Sequence, residues 1–134
     1  MKAPTHVMFG LLAGSYMGAT SALPLVIGSL LPDIDHPRST LGKFLPIGYL
    51  IKHRTITHSI LAAAIIWWIH PWVGVGYASH LLLDSLNPMG VPFLYPVSYR
   101  FNITRIRTGS GWEMILAAGL MYAMYHVNIW TMGL

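Results

Sequence analysis

The chain has 134 residues, a length that suits one domain. Hydrophobic residues make up 54% of it and charged residues only 9%, whereas a soluble globular domain carries roughly 25% charged residues, so a water-facing surface of the usual kind is excluded. The absence of cysteine excludes disulfides, thiolate metal sites and Cys nucleophiles, and the net charge of +4 leaves four acids to explain: Asp33, Asp35, Asp84 and Glu113.

Three stretches lack Asp, Glu, Lys and Arg for at least twenty residues: Ala3–Pro32, Ser59–Leu83 and Met114–Leu134. A spanning helix needs about 20 apolar residues, so each is long enough to cross a bilayer, and an integral membrane protein is expected over a very hydrophobic soluble bundle. The first stretch does not read as a signal peptide, because it lacks a strong basic n-region and candidate ligands follow it directly.

Residues 6–31 read as helical but interrupted. Gly10, Gly14 and Gly18 recur at four-residue spacing, which allows close approach of helices in a membrane. Thr20-Ser21-Ala22-Leu23-Pro24 reads as a break, with a second helix from about Pro24 to Leu31. Residues 32–55 carry Pro32, Pro37, Gly42, Pro46 and Gly48, too dense for a long helix. Thr57 to about Ile69 reads as a helix ended at His70-Pro71, and Trp72 to about Leu86 as another, stopped by Asn87-Pro88-Met89-Gly90. Residues 91–108 are mixed, with a short strand or hairpin expected over Phe101–Arg107. A last helix runs from about Gly111 to Ile129. No internal repeat or low-complexity segment is visible.

The acids and histidines fall at the ends of these segments. Asp33-Ile34-Asp35-His36-Pro37 directly follows an apolar helix, and His53-Arg54-Thr55-Ile56-Thr57-His58-Ser59 directly precedes one. In His80-Leu81-Leu82-Leu83-Asp84 the four-residue spacing puts imidazole and carboxylate on one helical face, able to reach a single ion. His6 stands at the start of the first helix. Each feature has an ordinary structural explanation, such as a hydrogen-bonded His–Asp pair or an Asx turn at Asp33. Together they are harder to dismiss, because ionisable groups in apolar segments are costly and point to function. Imidazole and carboxylate ligands suit zinc, or manganese or iron with more oxygen donors. Six or more candidates exceed the need of one tetrahedral ion, so two ions are expected, the usual arrangement for hydrolysing phosphate esters.

His6, Gly28-Ser29-Leu30-Leu31-Pro32-Asp33-Ile34-Asp35-His36-Pro37, His53-Arg54-x-x-Thr57-His58-Ser59, Ser79-His80-x3-Asp84-Ser85 and Asn87-Pro88-x-Gly90-Val91 together resemble the YdjM-like family. Its members are described as metal-dependent hydrolases associated with the inner membrane, sometimes labelled LexA-binding. The resemblance covers roughly residues 5–115. The ligand order is also similar, more distantly, to that of zinc-dependent phospholipases C and fungal single-strand nucleases, although this chain has no obvious counterpart to their later His and Glu ligands. The family resemblance implies His6, Asp33, Asp35, His53, His58, His80 and Asp84 as the metal set, with His36 as a further ligand or a supporting neighbour. It implies attack by a metal-activated water with Asp33 or Asp35 as general base.

A straight helix over residues 6–31 would put His6 about 40 Å from Asp33. A shared site therefore demands that the chain fold back near Thr20–Pro24, with short re-entrant helices whose turn must be buried in protein or lie at the interface. The expected fold is thus all-α: one domain over 1–134, a small helical membrane bundle with a metal site on irregular loops, at the inner membrane and either multi-pass or partly re-entrant.

Arg38, Arg54, Arg100, Arg105 and Arg107 are candidate phosphate clamps. Arg54 is favoured because it sits inside the His53–His58 motif, although basic loops also set topology. Ser110-Gly111-Trp112-Glu113 is a capping box that accounts for Glu113, and the tryptophans, Trp130 among them, suit interfacial anchoring. His70 and His126 are assigned structural roles. Expected partners are membrane lipid and a lipid or lipid-linked phosphoester, with no nucleic acid, since there is no basic recognition helix. The alternative is a non-catalytic metal-binding membrane protein, a sensor or transporter component. A transporter would need polar groups deep in several spans, whereas these cluster at helix ends.

Overall fold

A computed structural model of the chain describes residues 1–50 and 53–127. It is all-helical: α1 (Ala3–Tyr16), α2 (Ala22–Leu30), α3 (Ile60–Ile69), α4 (Pro71–Ser85) and α5 (Gly111–His126), with short 3-10 turns over Leu31–Asp35, Gly42–Phe44, Pro46–Tyr49 and Ile56–His58.

The first uncharged stretch folds back as the ligand set required. α1 ends in a Schellman motif: Gly18, at φ 84°, donates to the Ser15 carbonyl and Ala19 to the Gly14 carbonyl. Only a residue free to take positive φ fits there at no cost. Gly18 is therefore a terminator and, with nothing within 4 Å of a Cβ placed on it, not one of the helix-contact glycines that its spacing suggested. α2 then starts at Ala22, with Pro24 in the first turn, where a missing N–H leaves no bond unmade. The second stretch is also cut in two, because Pro71 opens α4 with the His70 imidazole accepting from Val73 N–H.

The multi-pass expectation finds no support in these helices. Among the described residues no helix is long and apolar enough to cross a membrane, because turns at Met17–Ser21 and His70 divide the first two stretches. The third is described only as far as Val127; the expected end at Ile129 and Trp130 lie outside the described residues, as does Lys52.

Close packing of α2 on α4 holds the bundle together, and α1 lies across both. Gly28 and Gly76 make this possible: a Cβ at Gly28 would stand 2.1 Å from the Val73 carbonyl oxygen, and one at Gly76 2.3 Å from that of Leu25. Leu25, Val75 and Ala19 fill the end of the bundle near the α1–α2 turn, while Leu12, Leu120 and Met124 join α1 to α5. Phe101–Arg107 forms no strand. It makes one antiparallel bridge, Val91 with Phe101, and then runs along the end of α4, where Ile103 N–H donates to the Ser85 carbonyl and Ile106 N–H to that of Leu86. The unspent carbonyls at a helix C-terminus offered better partners than a second strand.

Candidate metal centre

The fold brings four chain segments to one end of the bundle. His6 comes from the first turn of α1, Asp33 and Asp35 from the 3-10 turn after α2, His53, Arg54 and His58 from the approach to α3, and His80 and Asp84 from the last turns of α4. Six of these (His6, Asp35, Arg54, His58, His80 and Asp84) are buried. Asp33, with its side chain 25% exposed, faces a cavity of about 420 Å³ whose wall also includes His36, Arg38, His53, Arg54 and Asp84.

Asp33, His58, His80 and Asp84 offer ligand atoms that all lie within 4.8 Å of one another. His58 Nε2 is 3.7 Å from Asp33 Oδ1 and 3.6 Å from Asp84 Oδ2; His80 Nε2 is 3.6 and 3.8 Å from the same two atoms. These separations are too long for hydrogen bonds. They are slightly wider than the edge of a tetrahedron with bonds of 2.0–2.1 Å, about 3.4 Å. A pair in the same site shows what direct contact would look like: His53 Nδ1 and Asp35 Oδ1 have closed to 2.7 Å.

Proton positions explain the gap. His80 Nδ1 lies 2.7 Å from the Ser29 carbonyl oxygen, which can only accept, so Nδ1 carries the proton. Thr57 Oγ1 donates to Asp35 Oδ2 and is 3.0 Å from His58 Nδ1, which must therefore donate to it. In a neutral imidazole the proton on Nδ1 leaves a lone pair on Nε2. Both Nε2 atoms are buried and have no hydrogen-bond partner, and they aim those lone pairs at carboxylate oxygens. A cation between them turns that repulsion into coordination, so the donor set fits a divalent metal ion. Anchoring the far ring nitrogen on a carbonyl or carboxylate is the usual support of a metal-binding histidine.

Protonation states agree. Burial holds the His58 imidazole below its ordinary value, and burial together with the neighbouring His80 lowers His6 to about 4. Asp84 meets the Arg54 guanidinium at 2.6 Å and the Met1 amino group at 2.9 Å, cations that keep its carboxylate ionised. For Asp35 burial, which raises a carboxyl, is outweighed by His53 and Thr57.

The remaining expected residues take distinct places. His6 stacks on His80 with ring centroids 3.7 Å apart, and its Nε2 lies 3.4 Å from Asp84 Oδ1, the oxygen that also meets the Met1 amino group at 2.9 Å. Asp35, His53 and His58 form a second group within 4.8 Å. There, however, the Asp35 oxygens are already taken by His53, Thr57 and the Arg54 N–H. Arg54, at φ 59°, directs its backbone N–H to Asp35 and its guanidinium to Asp84 Oδ2 at 2.6 Å and the Gly90 carbonyl at 3.2 Å. Arg54 is thus engaged within the chain, whereas Arg38 is the exposed arginine on the cavity wall. His36 accepts from Arg38 N–H at 3.2 Å.

Glu113 serves structure, as its capping box suggested. Ser110 accepts from Glu113 N–H, while the carboxylate accepts from Gly109 N–H at 2.5 Å and from Lys2 N–H at 2.6 Å, tying the start of α5 to that of α1. Sequence reasoning missed the roles of Thr57 and the Ser29 carbonyl. Thr57 stood inside a quoted motif and could have been suspected; a backbone carbonyl leaves no residue-type signal.

Comparison with known proteins places these residues in a family. The family described as "YdjM inner membrane protein" matches residues 1–133. The chain is 32% identical over 146 aligned positions to "Uncharacterized protein YvsG" of Bacillus subtilis (strain 168), covering 92% of this chain and 91% of that one. It is 39% identical over 98 positions to "Inner membrane protein YdjM" of Escherichia coli (strain K12), covering 58% of this chain and 50% of that protein. The chain thus aligns with about half the length of the Escherichia coli relative. No solved structure matches.

Proposed function

The chain belongs to the YdjM inner membrane protein family, and from that premise we propose that it is a metal-dependent hydrolase acting at the membrane on a phosphoester of a lipid or lipid-linked substrate. One observation carries the proposal: the buried, unpartnered Nε2 atoms of His58 and His80 face the ionised carboxylates of Asp33 and Asp84 across gaps of 3.6–3.8 Å.

Asp33, His58, His80 and Asp84 would hold one divalent ion, zinc or manganese by donor chemistry. Asp35 orients rather than ligates: through Thr57 it fixes His58, and directly it fixes His53. An ion held by these residues would supply Lewis acidity and lower the pKa of a water to about 7. Asp33 is 25% exposed and opens onto the cavity, whereas Asp35 is fully buried. His53, 28% exposed and with its Nδ1 proton held by Asp35, presents Nε2 as a proton acceptor on the same wall. Arg38 supplies a guanidinium fork for the substrate's phosphate. A cavity of about 420 Å³ admits a headgroup-sized substrate, not a whole lipid.

The test is elemental analysis of detergent-purified protein beside Asp84→Ala and His80→Ala, with release of headgroup phosphate from phospholipid in mixed micelles measured on the same samples. One equivalent of zinc or manganese in the wild type, absent from both variants and paralleled by activity, is the expected result. Metal without activity against any phosphoester would favour the non-catalytic reading, and no metal after reconstitution at neutral pH would remove both.

A further inference from the structure

All the described charged residues sit at one end of this bundle. Asp33, Asp35, Arg54 and Asp84 form the centre, and Glu113 fastens α5 to Lys2 beside it. Lys43 follows the Asp33–Asp35 turn, and Arg100, Arg105 and Arg107 belong to the segment bonded along the end of α4. The exposed ones (Lys2, Arg38, Lys43, Arg100, Arg105 and Arg107) are all cations; every described acid is buried or half-buried. From that charged end α1 and α3 run outward and α2 and α4 run back, and beyond their first turns none of them carries Asp, Glu, Lys or Arg until the site is regained.

The outward faces of the helices are apolar and uncovered, while the far turns add only Thr20, Ser21 and His70 to large apolar side chains. α3 is Ile60–Ile69, apolar at every position, and buries none of its residues; Trp68 is 89% and Ile69 72% exposed. At the other turn Tyr16 is 74% exposed. Several backbone groups at these turns are bonded within the chain. Gly18 and Ala19 N–H close the end of α1, His70 N–H bonds the Ile66 carbonyl, and the His70 carbonyl accepts from Gly74 N–H. Apolar helix faces outside and helix ends closed by internal bonds are what burial in hydrocarbon favours.

Length decides how far such hairpins reach. At 1.5 Å per residue α1 and α4 extend about 21–23 Å and α3 about 15 Å, against a hydrocarbon thickness of about 30 Å. They pass the midplane at most and cannot cross.

We propose that α1–α2 and α3–α4 are two helical hairpins embedded in one leaflet of an anionic bilayer, with the cationic rim and the mouth of the metal-site cavity at its headgroups. The occupant of the apolar faces is acyl chain, and the rim complements the negative surface of a cytoplasmic leaflet. This arrangement holds a headgroup phosphate level with Arg38 while the acyl chains stay in the leaflet. It does not rest on the hydrolase reading.

Because the chain has no cysteine, single-cysteine variants test it directly. Arg105→Cys reports the rim, and Tyr16→Cys and Trp68→Cys report the two turns, all at exposed positions. Each is expressed in a bacterial host and probed with a membrane-impermeant maleimide in sealed right-side-out and inside-out inner-membrane vesicles, then after detergent solubilisation. The expected result is labelling of Arg105→Cys only in inside-out vesicles, and loss of labelling of Tyr16→Cys and Trp68→Cys in both orientations until detergent is added. Turn cysteines labelled from the face opposite the rim would show that the hairpins cross; labelled from the rim's face, that they are not inserted. Turn cysteines silent even in detergent would show them covered by protein, and rim labelling only from the other face would reverse the leaflet. Each of these outcomes overturns the proposal. Metal content plays no part in the readout, so failure here is separable from failure of the proposed activity.

Discussion

Asp84 joins more of the site than any other residue: Oδ1 meets His6 and the Met1 amino group, and Oδ2 meets Arg54, His58 and His80. Thr57 does less visible work, passing the Asp35 carboxylate's orientation to His58. Thr57→Val keeps the shape and removes the hydroxyl, and it is expected to weaken metal affinity about 10–100-fold, measured by competition against a chelating dye. Unchanged affinity would show that the hydroxyl does not orient the ligand. His6 makes a pH prediction. Its folded-state value, about 4, lies below the ordinary 6.5, so between the two the unfolded chain binds a proton that the native one does not. Stability of the metal-free protein should therefore fall as pH drops from about 6.5 towards 4, and His6→Gln should flatten that slope in denaturation measured across the window.

At the scale of elements, the helices depend on a few close approaches. Gly28→Ala drives a Cβ to 2.1 Å from the Val73 carbonyl oxygen, on rigid backbone of α4. A loss of about 1–3 kcal/mol is expected, seen as a lower melting temperature in detergent. Gly119→Ala in α5 meets nothing within 4 Å and should stabilise by up to about 1 kcal/mol on helix propensity. Equal effects of the two would show that the α2–α4 contact is looser than described. The four-residue glycine spacing in α1 was legible, and Gly10 and Gly14 do face Ser29 and Leu25. Gly18 was misread because spacing cannot tell a contact from a C-cap. Gly28 and Gly76 carried no periodic signal, since their need arises from another segment's backbone. Phe101–Arg107 suggested a strand by local composition, but the carbonyls that bond it belong to α4, remote in sequence.

For the whole molecule, the candidate metal centre is a meeting point of helix ends, joining α1, the turn after α2, the approach to α3 and the end of α4. Removing an ion present at 1,000 times its dissociation constant costs about 4 kcal/mol of folding stability. Exhaustive chelation is expected to lower the melting temperature clearly in the wild type and to leave Asp84→Ala unmoved; equal melting with and without chelator would argue against the centre. The sequence by itself determined the all-helical class, a break near Thr20–Pro24 (the turn itself falls at Met17–Ser21) and one at His70-Pro71, and the list of candidate ligands. Those follow from local rules: helical spacing, proline and glycine chemistry, and the rarity of ionisable groups in apolar segments. It also showed that His6 and Asp33 could meet only if the chain folded back. Which imidazole nitrogens face which carboxylates, that Asp35 supports the centre from behind, and that Arg54 grips Asp84 were decided by tertiary structure alone. These depend on where separate helices end relative to one another and on which backbone carbonyl holds each ring's proton. Residue types do not encode either.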